Sequence, residues 1–160
     1  MAKSHKRSTP TWYDAAEPSP QHFDAWRNGQ GRAKLEWLGE RWDAVAVAPA
    51  RFALDALTGM RLSPRTGYPV IGDRARDTVY VMVHPGSAGE AISLPSVRVL
   101  GRGHLLLVPD AVRVACPHGT PCAHWISAPR TNRYERLVRG RVLADHLHQL
   151  STNYRKATTS

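Results

Sequence analysis

The stretch Cys116-Pro-His118-Gly-Thr-Pro-Cys122-Ala-His124 holds the densest set of side chains able to coordinate a metal. Thiolate and imidazole are donors that zinc takes, and a structural zinc site closes with four of them. Cys116, His118, Cys122 and His124 supply four, on a segment carrying two prolines and a glycine. Zinc sites ordinarily draw ligand pairs from two separated segments, so three of these donors completed by His104 or a water close more easily than all four. The same spacing allows a lone disulfide between Cys116 and Cys122, or two reduced thiols, and a reducing compartment disfavours the disulfide. Zinc is the one cofactor this segment would take.

A second set is cationic. Arg133, Arg136 and Arg139 recur at i, i+3, i+6, which on a helix puts them on one face, and Arg130 and Arg141 extend the row at its ends. Such a face supplies contacts to DNA or RNA phosphates. It also reads as a solvated face whose arginine stems cover apolar neighbours. Acid–base machinery is sparse. Asp43, Asp55, Asp73 and Asp77 are the acids of the central region, and Asp73 and Asp77 flank a turn, where aspartate is a turn former. There is no G-x-S-x-G, P-loop or H-E-x-x-H pattern. His84 ends an apolar run and reads as a surface turn residue. His146 and His148 are two apart, so on a helix they point to different faces.

The elements that position these residues read as one α+β domain over residues 20–150, with a flexible basic, Pro-rich tail over 1–19 and a polar tail over 151–160. Ser19-Pro20 looks like an N-cap and N1 pair opening a helix with Phe23 and Trp26 on one side. A second helical piece is expected over 32–38, from Leu35 and Leu38 at i, i+3. Trp42 to Val47 is apolar at both alternating sets, which suits a strand buried on both faces. A short helix over 53–60 follows, with Leu54 and Leu57 on one face. Strands are expected over 68–71, 78–83, 97–100, 104–108 and 124–127, with Gly101-Arg-Gly103 as a hairpin link. A long helix is expected from Thr131 or Asn132 to Leu150, rotating its apolar stripe at Gly140. The expected architecture is a mostly antiparallel sheet with helices packed on one face, in two layers. One sheet is expected to hold 42–47, 78–83, 97–100 and 104–108.

Composition narrows the function. The chain has 160 residues, 42% hydrophobic and 22% charged, which excludes collagen, coiled coil and wholesale disorder. The longest apolar runs fall far short of the roughly 18 residues that a membrane span needs, so no membrane partner is expected. The start is basic but has no apolar stretch behind it, so the reading is a soluble, cytoplasmic protein. Lys plus Arg is 22 against 13 for Asp plus Glu, a net charge of +9. A GC-rich coding bias accounts for arginine standing in for lysine. It does not account for the shortage of carboxylates, and the residue of that charge favours an anionic partner.

The run Pro95-Ser-Val97-Arg-Val-Leu100-Gly-Arg-Gly103-His-Leu-Leu-Leu-Val108-Pro109, followed by His124-Trp125-Ile126-Ser-Ala-Pro129, resembles the C-terminal half of the bifunctional DNA primase/polymerase (prim-pol) N-terminal domain. That family carries a V-R-G-x-G-G-Y-hydrophobic-P-P hairpin and a later Y-x-W strand. Ala44 to Leu57 sits where the family has a strand, an Asp-x-Asp and a helix, and the resemblance spans about residues 35–129. Ala48, Pro49 and Ala50 stand where the family's metal-binding acids would be, and the 78–83 strand has no histidine. The resemblance therefore implies a reduced prim-pol-like fold without its two-metal site and without polymerase or primase activity, since phosphoryl transfer depends on those ions. Three readings stand together. The leading one is a non-catalytic, nucleic-acid-associated or regulatory accessory domain. The second is a zinc-stabilised module or metal-dependent enzyme built on residues 116–124. The third is an interaction domain whose Trp12, Trp37 or Tyr134 docks a protein partner.

Overall fold

In the computed structural model the strand at the centre of the fold is β2 (Asp43–Val47), every residue of which is buried. Its neighbours are β4 (Thr78–Val83) and β5 (Val97–Leu100), both antiparallel to it. β3 (Val70–Asp73) pairs with the other side of β4, and β7 (Ala123–Ser127) with β3. The order is thus β5-β2-β4-β3-β7, antiparallel throughout. The structure describes residues 8–20, 33–89, 93–109, 123–130 and 136–158.

Side chains alternate across each strand, and here both faces are apolar. Val45, Val47, Val79, Val81 and Val83 pack against α1 (Trp12–Ala16), α2 (Ala50–Gly59) and α3 (Gly140–Thr158). Ala44, Ile71 and Met82 face the other way. They pack with Leu106 and Val108 of a two-stranded ribbon formed by β1 (Ala33–Trp37) and β6 (Leu105–Pro109). The helices therefore lie on one face of a mostly antiparallel sheet, and the ribbon covers part of the other. The double-sided burial expected of residues 42–47 follows from this placement.

Four expectations are corrected. Residues 33–37 form a strand rather than part of a helix, because Leu35 and Trp37 alternate and pair with Leu107 and Leu105. Cross-strand pairing overrides the i, i+3 spacing of Leu35 and Leu38. The 104–108 strand belongs to the ribbon and not to the main sheet, so Gly101-Arg-Gly103 carries the chain between two sheets instead of closing a hairpin within one. Within the expected tail over 1–19, residues 12–16 are helical and Trp12 is only 2% exposed, its indole N–H donating to the Leu62 carbonyl at 2.8 Å. The last helix begins at Gly140 and runs to Thr158, past the boundary expected at 150.

α3 starts at a close crossing of the chain. A Cβ on Gly140 would lie 2.5 Å from Ser87 Oγ and 2.7 Å from the Ala88 nitrogen, so the chain crosses the 84–89 loop there at a distance only glycine allows. Just before it, Val138 donates its N–H to the Met82 carbonyl at 3.2 Å and bridges Val83 in parallel, occupying the place beside β4 that β3 has vacated. The expected helix N-cap at 131–132 and the helix with Phe23 and Trp26 lie outside the described residues.

Candidate nucleic-acid interface

α2 lacks a side-chain cap from its own N-cap residue, Pro49. Asp77 replaces it from the β3–β4 turn, its Oδ1 accepting the Ala50 N–H at 3.2 Å. Asp77 has φ +48°, a left-handed conformation that aspartate tolerates better than most residues. Asp73 is a turn former as expected. Its Oδ1 accepts the Arg76 N–H at 3.1 Å and its Oδ2 meets the Arg76 guanidinium at 3.1 Å.

The first turn of α2 carries Arg51, exposed, and Phe52, buried. One turn further, Asp55 accepts the Tyr13 hydroxyl on one carboxylate oxygen and the Tyr154 hydroxyl on the other, the latter at 3.0 Å. One carboxylate thus ties α1, α2 and α3 together. Burial, and then the hydrogen bond and charge of Asp55, push the Tyr13 phenol up to about 12. The hydrogen bond that Tyr154 donates to Asp55, ahead of burial, raises its phenol as well. Tyr154 also packs on Phe52, ring centres 5.8 Å apart and tilted by 50°, with the Arg51 guanidinium 5.9 Å from its ring centre.

These contacts border an open cleft of about 300 Å³ lined by Pro49, Arg51, Phe52, Ser96, Ser151, Tyr154 and Arg155. Ser96 is held there by its carbonyl, which accepts the Ala48 N–H at 3.1 Å. The cleft presents two guanidinium groups from different helices, two hydroxyls and a 40% exposed aromatic ring. Such a set offers charge, hydrogen bonding and a stacking face.

The arginines singled out in the sequence fall elsewhere. Arg130 donates to the Arg65 carbonyl at 2.7 Å, and its stem crosses Gly67 so closely that a Cβ there would be 2.7 Å from Arg130 Cγ. Arg136 and Arg139 are exposed but precede α3, so the expected helical row does not exist across them; Arg141 is exposed in its first turn. Arg133 lies outside the described residues. At 1.5 Å per residue, Arg141 stands about 20 Å along α3 from Arg155.

Of the metal candidates, Cys116, His118 and Cys122 lie outside the described residues. His124, on β7, is 3% exposed, with its Nε2 at 3.2 Å from the Ala16 carbonyl at the end of α1. Among the described residues, no three His, Cys, Asp or Glu side chains converge as a metal site would require. No helix among them is long and apolar enough to cross a membrane. Of the docking aromatics, Trp12 is in the core, Trp37 is 65% exposed, and Tyr134 is not among the described residues. No family model, curated protein or solved structure matches the chain.

The cleft escaped the sequence reading because its residues come from 49–52, 96 and 151–155. A signal was present: Leu143, Leu147, Leu150 and Tyr154 recur at 4, 3, 4, one continuous helical stripe that carries α3 past Leu150.

Proposed function

We propose that this chain is a nucleic-acid-binding accessory domain that holds a single strand in the cleft between α2 and α3. Arg51 beside the exposed ring of Tyr154, with Arg155 lining the same cleft, carries the reading. Backbone-tracking cations beside an aromatic face are the means by which single strands are bound without sequence preference. Arg51 and Arg155 take phosphate oxygens, Ser96 and Ser151 add hydroxyl donors, and a base stacks on Tyr154. The hydrogen bond to Asp55 raises the Tyr154 phenol above its ordinary value, which favours the uncharged ring beside phosphates. The net charge of +9 and the resemblance to the primase/polymerase family agree with such a partner. The Ala48-Pro49-Ala50 link between β2 and α2 carries no acid pair, so the domain binds and does not polymerise.

The test is fluorescence polarisation of a labelled oligothymidine across a salt series. Arg51→Gln and Arg155→Gln each lower the log–log salt slope by about 0.7. Tyr154→Ala weakens binding by about 1–3 kcal/mol, while Tyr154→Phe, which keeps the ring, does not. A slope unchanged in the double arginine variant but reduced by substituting Arg136, Arg139 and Arg141 would move the interface to the start of α3. Absence of binding at low salt would overturn the reading.

A further inference from the structure

β1 is amphipathic in reverse. Its outward residues are Leu35, 60% exposed, and Trp37, 65% exposed, while Lys34 and Glu36 stand on the side toward the main sheet. Across the ribbon, Trp37 faces Leu105, itself 46% exposed, and Leu35 faces Leu107. Among the described residues β1 has one strand neighbour, β6, and no other described strand pairs with its second edge.

The phase of the ladder shows what that edge presents. Leu38 donates its N–H to the His104 carbonyl at 2.9 Å, in register with the β1–β6 pairs. In an antiparallel ladder, hydrogen-bonded and non-hydrogen-bonded pairs alternate. Glu36 and Lys34 therefore commit their backbone groups to β6, and Trp37, Leu35 and Ala33 turn theirs to the second edge. On β6 the same phase turns the Pro109 carbonyl outward, where it accepts the Trp125 indole N–H at 2.8 Å.

We propose that two copies of this chain pair through β1, antiparallel about a two-fold axis at Leu35, into a continuous ribbon of four strands. This register places Leu35 against Leu35 as a hydrogen-bonded pair, using the backbone groups that the ladder turns to the second edge. It places Lys34 against Glu36 of the second copy, twice, as closely spaced non-hydrogen-bonded pairs. It also places Ala33 against Trp37. The segment Ala-Lys-Leu-Glu-Trp is self-complementary in charge when reversed on itself, as a contact between identical surfaces must be. Opposite charges directly across an antiparallel pair favour it, and like charges oppose it. Within its own copy Glu36 has Arg41 at 3.9 Å, a distant contact that leaves its carboxylate room for a second cation. The net charge of +9 opposes association at long range. At 0.15 M salt the screening length of about 8 Å removes most of that repulsion and spares the contacts at strand spacing.

Sedimentation equilibrium on the full chain tests this. The wild-type chain reaches twice the chain mass. Leu35→Pro is monomeric yet folded by circular dichroism, because the amide it removes faces the second edge and not β6. Lys34→Glu alone and Glu36→Lys alone are each monomeric, since each sets like charges opposite one another. Mixed in equal amounts, these two variants form a heterodimer, because both cross-axis pairs then join a carboxylate of one variant to an ammonium of the other. A wild-type chain that stays monomeric up to about 1 mM would overturn the proposal and leave the edge to a different protein. A dimer indifferent to Leu35→Pro, or two reversed variants that fail to pair, would overturn it equally.

Discussion

Replacing Trp12 by alanine probes a part of the chain whose sequence looks like a tail. The side chain is 2% exposed and packs in the core formed by the sheet and the three helices. Truncating a buried tryptophan to alanine costs about 3–5 kcal/mol. The indole N–H also meets the Leu62 carbonyl at 2.8 Å, a bond contributing about 1 kcal/mol net. A typical domain has about 5–15 kcal/mol in all, so Trp12→Ala removes a large share. With a urea dependence of about 2 kcal/mol per M, the unfolding midpoint falls by about 2 M. Trp12→Phe keeps most of the apolar volume, loses the hydrogen bond, and falls between that variant and the wild type. Thr11→Ala removes the reciprocal cap with Asp14 and costs about 1 kcal/mol. Far-ultraviolet circular dichroism is the proper signal, because removing a tryptophan alters fluorescence by itself. A loss under 1 kcal/mol for Trp12→Ala would refute the docking of α1 and return residues 8–20 to the status of a tail.

Two further outcomes are expected. Gly72→Ala places a Cβ 2.9 Å from Ile126 Cδ1 and 3.3 Å from the His124 ring. It destabilises by about 1–3 kcal/mol in urea titration, and Ile126→Val recovers part of the loss; no change would show that β7 can shift freely. Tyr13 has a folded-state pKa of about 12 against an ordinary value of 10.0. Its neutral form therefore stabilises the fold fully below pH 10, and that contribution is lost as pH rises from 10 through 12. Tyrosinate absorbance should show a late-titrating group that moves down in Asp55→Asn, whereas all five tyrosines titrating together near pH 10 would contradict the clasp.

Strands with strong alternation were legible in the sequence. Thr78–Val83 and Val97–Leu100 have the expected bounds, and β2 starts one residue late, because β-branched runs between turn residues admit few other structures. β1 was not legible. Leu35 within it and Leu38 just beyond it stand three apart and fit a helix locally, and only the partner strand about 70 residues downstream decides otherwise. α1 was hidden among Ser, Thr and Pro, although Thr11 and Asp14 carry the S/T-x-x-D/E signature of a helix start. The fate of the arginines was illegible for a different reason. Arg51 and Arg155 lie over 100 residues apart, and their proximity is a product of helix packing. The spacing of Arg136 and Arg139 does not become a helical face, because both precede the helix, which starts at Gly140 against Ser87.

The cap that Asp77 lends to α2 bears on the order in which the molecule assembles. The acceptor for the Ala50 N–H lies 27 residues downstream, in the turn joining β3 to β4. During synthesis the helix leaves the ribosome before its own cap exists. Helix nucleation is the costly step and propagation the easy one, so the first turn of α2 frays until the hairpin behind it has closed. Mutations at Asp77 should therefore speed unfolding and slow folding in a fixed proportion, the signature of a contact partly made at the barrier. Substitutions at Thr58, in the last turn, should leave the folding rate alone. A hairpin that templates the helix in this way would make the element that comes first along the chain consolidate second.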